Sequence, residues 1–184
     1  MSAIKLSTPS SGSISLSPAN TASNLTITVP AVTGTMLTNK TAGTVLQVVN
    51  ATYGTSVSRS SNTYGDTGLT ASITPSSSTS KILVMVAHNG CRKDTSNTTL
   101  AVQLVRNSTV ISGIEGNGGR TGDTTTNQFG GIAITYLDSP STTSSTTYKT
   151  QYLSTNNSGT VYINDNFDPS SPAVSSITLM EIAA

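Results

Sequence analysis

The sequence predicts an all-β protein, and three observations support that prediction. Serine and threonine make up 63 of the 184 residues, whereas the four charged residue types together make up 17, so the chain is polar without being charged. Apolar residues alternate with Ser and Thr over short stretches, which is the period of a half-buried strand. Gly, Pro, Asn and Asp separate these stretches, and no window carries a convincing helical period.

Residues 1–42 predict an extended, β-rich N-terminal arm. They contain no aromatic and no acidic residue, and the alternation is clearest at residues 13–17 and 25–29. Such short strands carry too few large side chains to enclose a core. The apolar face of the arm therefore needs another surface to cover it, either copies of itself or a partner. A flexible Ser-rich linker is the alternative interpretation.

Residues 43–184 predict a head domain of about eight or nine strands separated by turns, which is typical of an antiparallel, jelly-roll-like β-sandwich. The stretch 81–88 is the most apolar, so we expect it to be central. Asn107-Ser108 is a turn signal that predicts a hairpin. The alternation near the C-terminus predicts a paired last strand. Strands are expected at residues 44–49, 69–74, 81–88, 99–106, 109–111, 129–137, 147–153, 160–164 and 176–182.

The connection at residues 112–127 is long and rich in glycine. A loop of this length in a compact sandwich is either mobile or used for contact. If the protein binds another surface, we expect this loop to make the contact. Its candidate polar contacts are Asn117, Arg120 and Asp123.

The chain is poorly equipped for catalysis, so we expect no enzymatic activity, no cofactor and no metal. It has one histidine and one cysteine, His88 and Cys91, and these are too few ligands for a metal site. A nucleophilic triad needs an orienting acid as well as a base. We interpret His88 as a histidine at a strand end and Cys91 as a buried thiol.

Two further clusters have structural interpretations. Residues 92–94 (Arg-Lys-Asp) predict a solvated hairpin tip, because their charge excess is small. Residues 165–168 (Asp-Asn-Phe-Asp) lack the glycine and the later glutamate of a calcium loop, so they predict a polar turn that caps its own backbone.

The formal net charge of +1 favours neither nucleic acid nor an anionic membrane as a partner. The N-terminal residues lack the apolar stretch of a secretory signal. We therefore expect synthesis in a cytoplasm and no membrane insertion.

Residues 12–38 resemble a recurrent segment of tailed-bacteriophage fibre proteins. The pattern is a strand, an Asn-bearing turn, a second strand that ends in Pro, and then Gly34-Thr35 with an apolar pair. The remainder is similar to a domain of structural proteins of environmental phages, cyanophages among them. The matching pieces are residues 43–49, 67–69, 73–76, 80–84, 137–140, 147–149 and 177–184.

This resemblance implies a virion surface protein made in the host cytoplasm, a homotrimer with intertwined N-terminal strands, a β-sandwich head and no catalytic residues. The function it implies is a short trimeric tail fibre or appendage, with residues 1–42 as the stem for trimerisation and virion docking and residues 43–184 as the head, which could attach to a host surface glycan or protein. A capsid decoration or head-fibre protein is the alternative within the virion. A carbohydrate-binding module is the alternative of another class, although the chain has no Trp and few Tyr to stack on sugars.

Overall fold

The structure, a computed structural model, describes residues 42–118, 126–157, 159–166, 170 and 172–184. The described residues form ten strands and no helix, so the prediction of an all-β fold is confirmed. The strands are β1 (Val45–Tyr53), β2 (Val57–Arg59), β3 (Gly65–Ile73), β4 (Lys81–Lys93), β5 (Leu100–Arg106), β6 (Thr109–Gly118), β7 (Asn127–Asp138), β8 (Thr146–Ser154), β9 (Val161–Ile163) and β10 (Ser175–Ile182).

Six strands form the large sheet, and all its pairs are antiparallel. β4 lies at its centre, as its apolar sequence predicts. β7 follows one edge of β4 along its whole length. The other edge is shared: β10 pairs with residues 81–87 and β9 with residues 92–93. β1 lies outside β10, and β2 lies outside β9.

The other four strands form the small sheet, in the order β3-β8-β5-β6. Alternate side chains of the two sheets face each other and form one core, because successive side chains of a strand point to opposite faces. Along β8 and β10 buried and half-buried residues alternate without a break. The large buried residues at the centre are Leu69, Ile73, Ile82, Val84, Leu100, Leu104, Tyr148, Ile163, Ile177 and Leu179.

A bulge at Gly90 allows β4 to change partners. The pairing of β4 with β7 shifts register on both sides of Cys91, and Gly90 has a φ of +58°. The backbone of Asp165 lies against Gly90, with its N–H donating to the Gly90 carbonyl at 3.1 Å. A side chain at Gly90 would meet that backbone at 2.7 Å, so both the positive φ and the close approach require glycine here.

The nine strands expected from the sequence are all present, and β2 is a tenth that the sequence did not indicate. The Asn107-Ser108 turn joins β5 and β6 as a hairpin, and the last strand is paired on both edges. The prediction for residues 92–94 is wrong: Arg92 and Lys93 belong to β4, and Lys93 is buried. The bulge explains this, because it lets β4 continue beyond His88 to pair with β9.

The strands give the sandwich two distinct ends. At the end that we call the junction end, β1 begins and β10 stops, with Val45 paired to Ile182. The described part of the chain begins at this end, where the Gly43 N–H donates to the Ala183 carbonyl at 2.8 Å. At the opposite end, which we call the far end, β6 stops and β7 begins, with Gly118 paired to Leu100 and Asn127 paired to Lys93.

Candidate functional site

The expected contact loop connects β6 to β7 at the far end of the sandwich. β6 continues to Gly118, so this strand includes the first residues of the expected loop, and residues 119–125 lie outside the described residues. Asn117 belongs to β6, one residue before that strand ends. Arg120 and Asp123 lie outside the described residues.

At the far end, Arg92 and Tyr162 form the centre of a polar cluster on the outer face of the large sheet. The two residues are paired across β4 and β9, and the guanidinium carbon of Arg92 lies 3.7 Å from the centre of the Tyr162 ring. Arg92 Nε donates to Asp165 Oδ2. Tyr162 Oη donates to Asp94 Oδ2 at 2.9 Å. The stacking and the ion pair fix β9 and the residues after it against the end of β4.

Asp94 completes this far-end cluster. Burial acts to raise the pKa of its carboxyl, but hydrogen bonds from Thr95, Tyr162 and the Thr160 backbone outweigh that effect and hold the pKa below its usual value. The carboxylate is therefore ionised and fully engaged in structural bonds. The cluster presents paired charges at the far end, and Arg92 and Asp165 keep only 20% and 23% of their side-chain surface exposed.

His88 lies at the centre of a hydrogen-bond network that crosses the core. Its Nδ1 is 3.2 Å from Ser175 Oγ, and its Nε2 is 3.0 Å from Thr150 Oγ1 in the small sheet. Beyond these hydroxyls, Ser175 donates to Asn164 Oδ1 at 2.5 Å, and Thr150 Oγ1 is 2.6 Å from Thr67 Oγ1. The network thus links β3 and β8 to β4, β10 and the turn after β9.

The network assigns a proton arrangement to His88. Because the Ser175 hydroxyl donates to Asn164, Nδ1–H of His88 must donate to Ser175, and Nε2 then accepts from Thr150. Burial lowers the pKa of His88 from 6.5 to about 4, so the ring is neutral at pH 7. Both ring nitrogens are occupied by hydroxyls, and the residue is 1% exposed. His88 is therefore a buried structural residue in the middle of β4, and its predicted position at a strand end is wrong.

Cys91 is buried as the sequence predicts. It is 1% exposed and belongs to the core. Burial raises the pKa of its thiol to about 12, although a backbone hydrogen bond with Ile132 acts in the opposite direction. At neutral pH it is therefore a protonated core residue and not a nucleophile.

A cleft of about 420 Å³ opens at the junction end, beside the buried carboxylate of Glu181. Glu181 accepts from Gln47 Nε2 at 2.6 Å and from both the N–H and the hydroxyl of Ser76 at 2.7 Å. Burial acts to raise the pKa of this carboxyl, but these bonds and one from Ser80 lower it to about 2. The cleft is lined by Leu46, Ser76, Ser77, Thr79, Ser80, Ala183 and Ala184.

A second buried carboxylate closes the junction end. Tyr148 Oη donates to Asp138 Oδ2 at 2.7 Å, and Arg106 Nη1 lies 2.9 Å from both oxygens of the same carboxylate. Asp138 ends β7, whereas Tyr148 and Arg106 belong to the small sheet, so this ion pair ties the two sheets together. The only signal in the sequence for this ion pair was the turn at residues 138–140.

Within the described part of the chain, no group of three or more His, Cys, Asp or Glu side chains could hold a metal ion. The described residues also contain no helix that is long and apolar enough to cross a membrane. Compared with models of known protein families, the chain gives no match, and a comparison with curated proteins gives no significant match.

Proposed function

We propose that this protein is a structural component of a tailed-bacteriophage virion: a short trimeric fibre or appendage that projects a β-sandwich head from the particle surface. Residues 1–42 form the stem, which joins three copies and docks on the virion. Residues 43–184 form the head. Its role is mechanical and adhesive, and it includes attachment to a host surface glycan or protein through the far end.

The observation that carries this proposal is that the strands give the head two different ends. β1 begins at Val45, at the junction end, and β6 stops at Gly118, at the far end. A head held through one end and free at the other suits an anchored projection. The resemblance of residues 12–38 to phage fibre segments points in the same direction.

We further propose that the head is a jelly roll. Four antiparallel pairs, β1 with β10, β3 with β8, β4 with β7, and β5 with β6, nest as they would in one long hairpin. Winding that hairpin gives two sheets in the orders β1-β10-β4-β7 and β3-β8-β5-β6, with β2 and β9 as an added pair. Jelly rolls recur in viral capsid and lectin domains.

Two features favour a non-catalytic role. His88 is neutral and enclosed in the core, and Cys91 is protonated there.

The tyrosines argue against a free carbohydrate-binding module, because such a module presents aromatic rings to sugars. All six tyrosines lie in the described residues, each is buried or half-buried, and Tyr162 is covered by Arg92.

The test is the copy number of this protein in purified particles, measured by quantitative mass spectrometry against the major capsid protein. We expect a few trimers per particle, which would place the protein on the tail. A count comparable to that of the capsid protein would instead make it a shell decoration and remove most of the support for host attachment. Absence from the particle would overturn the proposal.

A further inference from the structure

The outer face of the large sheet carries a row of apolar side chains that crosses four strands. Val48 pairs with Met180, Met180 with Leu83, and Leu83 with Leu137. Each alternates with core residues along its strand, so its side chain points away from the small sheet. The two ends of the row are strongly exposed, with Val48 at 55% and Leu137 at 57%.

The apolar surface extends from this row towards the junction end. Val45, which is 49% exposed, pairs with Ile182 on the same face. Val45, Val48 and Leu137 are three of the five large hydrophobic residues that are exposed among the described residues. A contiguous apolar patch on a sheet of otherwise small, polar residues is typical of an interaction surface.

The charges around the patch are sparse. The next outward row towards the far end consists of Asn50, Thr178, Met85 and Thr135. On the junction side, Lys81 is adjacent to Ile182, and its ammonium group donates to Ser139 Oγ at 2.8 Å. Identical charged surfaces repel one another when copies meet, whereas this face can meet itself without that cost.

We propose that this apolar face is the contact surface between copies of the chain, an inference that rests on the proposed function. The patch begins at Val45, three residues after the proposed stem. A stem that joins three copies would hold their patches at high effective concentration, so even a small apolar surface would associate. The uncharged Val, Leu, Met and Ile composition matches the core of interfaces between identical subunits.

The first test is site-specific crosslinking of the full chain. The native thiol Cys91 is buried and protonated, so an introduced cysteine is the reactive one. We expect Val48→Cys and Leu137→Cys to give covalent dimers with a short bis-maleimide on a denaturing gel. Val110→Cys is the matched control, because Val110 is 53% exposed but lies on the small sheet; it should give none.

The second test is the oligomeric mass of the full chain by light scattering over a dilution series. Val48→Lys places a charge in the proposed interface, so we expect association at least about tenfold weaker than in wild type, which corresponds to about 1.4 kcal/mol. Val110→Lys adds the same charge at a site of equal exposure and should leave association unchanged. Because both sites are exposed, neither variant should impair folding.

The outcomes separate this inference from the proposed function. A trimeric mass without crosslinks through positions 48 or 137 would overturn the apolar face as the interface and leave the stem-based trimer intact. Equal crosslinking at position 110 would also overturn it, because contact would then be non-specific. A monomeric mass at all concentrations would overturn both the interface and the trimeric fibre.

Discussion

His88 Nε2 accepts a hydrogen bond from Thr150 Oγ1 at 3.0 Å, which joins the large and small sheets through the middle of the core. A buried imidazole costs free energy unless both nitrogens are paired, and here hydroxyls pair both. The abundance of Ser and Thr in this chain thus has a structural use: small hydroxyls satisfy a polar residue inside an otherwise apolar sandwich.

The stability of the head should fall as the pH is lowered from about 6.5 to about 4. His88 has a lower pKa in the folded state than in the unfolded state, so the unfolded chain binds the proton more tightly in this window. The contribution of neutral His88 to the free energy of unfolding is complete above pH 6.5 and is lost by pH 4. A shift from 6.5 to about 4 corresponds to about 3 kcal/mol.

Urea unfolding of wild type and His88→Gln at several pH values checks this prediction. The variant should be less stable at pH 7, because hydroxyls lose their partner, but its stability should change far less between pH 6.5 and 4. The contribution of Glu181 is lost as the pH falls from 4.5 towards about 2 and is common to both proteins, so the difference between the two proteins isolates His88. An equal slope in both proteins would contradict the role of His88.

Gly90→Ala should destabilise the head by about 3 kcal/mol or more, because the left-handed conformation is strained and the new methyl group meets the Asp165 backbone at 2.7 Å. Gly130→Ala is the matched control. Gly130 also has a positive φ, of +84°, but nothing lies within 4 Å of its added methyl group, so strain alone should cost about 1 kcal/mol. Thermal and urea unfolding measure both, and equal losses would refute the close-contact explanation.

Two Tyr→Phe substitutions should differ in their effect on stability. Tyr148→Phe removes a fully buried hydrogen bond to a carboxylate and should cost about 2 to 3 kcal/mol. Tyr162→Phe removes a similar bond to Asp94 at a half-buried site and should cost about 1 kcal/mol. The free energies of unfolding in urea give the comparison. A larger loss for Tyr162→Phe would show that the hydrogen bond between Tyr148 and Asp138 contributes less than its burial suggests.

If the far end attaches to the host, simultaneous alanine substitution of Asn117, Arg120 and Asp123 should reduce the adsorption of phage particles to host cells. A few residues carry most of the binding energy of a contact surface, and truncating each costs more than about 1 kcal/mol, so we expect a loss of about tenfold or more. Ser78→Ala, an exposed change near the junction end, is the control. Unchanged adsorption of particles that carry the triple variant would eliminate this loop as the contact site.

Local sequence patterns predicted most of the strands but not their boundaries. The alternation at residues 176–182 identified β10, because one of its faces is buried along its whole length. β4 was predicted to stop near His88, whereas it runs to Lys93. Only the bulge geometry at Gly90 shows that the strand continues beyond His88. β2 has three residues, which is too few for any periodicity to be visible.

The sequence by itself determined the all-β class, the central strand, the hairpin at Asn107 and the burial of Cys91, because each depends on local alternation, turn propensity or hydrophobicity. The tertiary structure alone decided which strands are neighbours. That arrangement pairs His88 with Thr150, buries Glu181 among serines and aligns Val48, Met180, Leu83 and Leu137 across four strands. The partners in these contacts are 54 to 132 positions apart in the chain, and only long-range register brings them together.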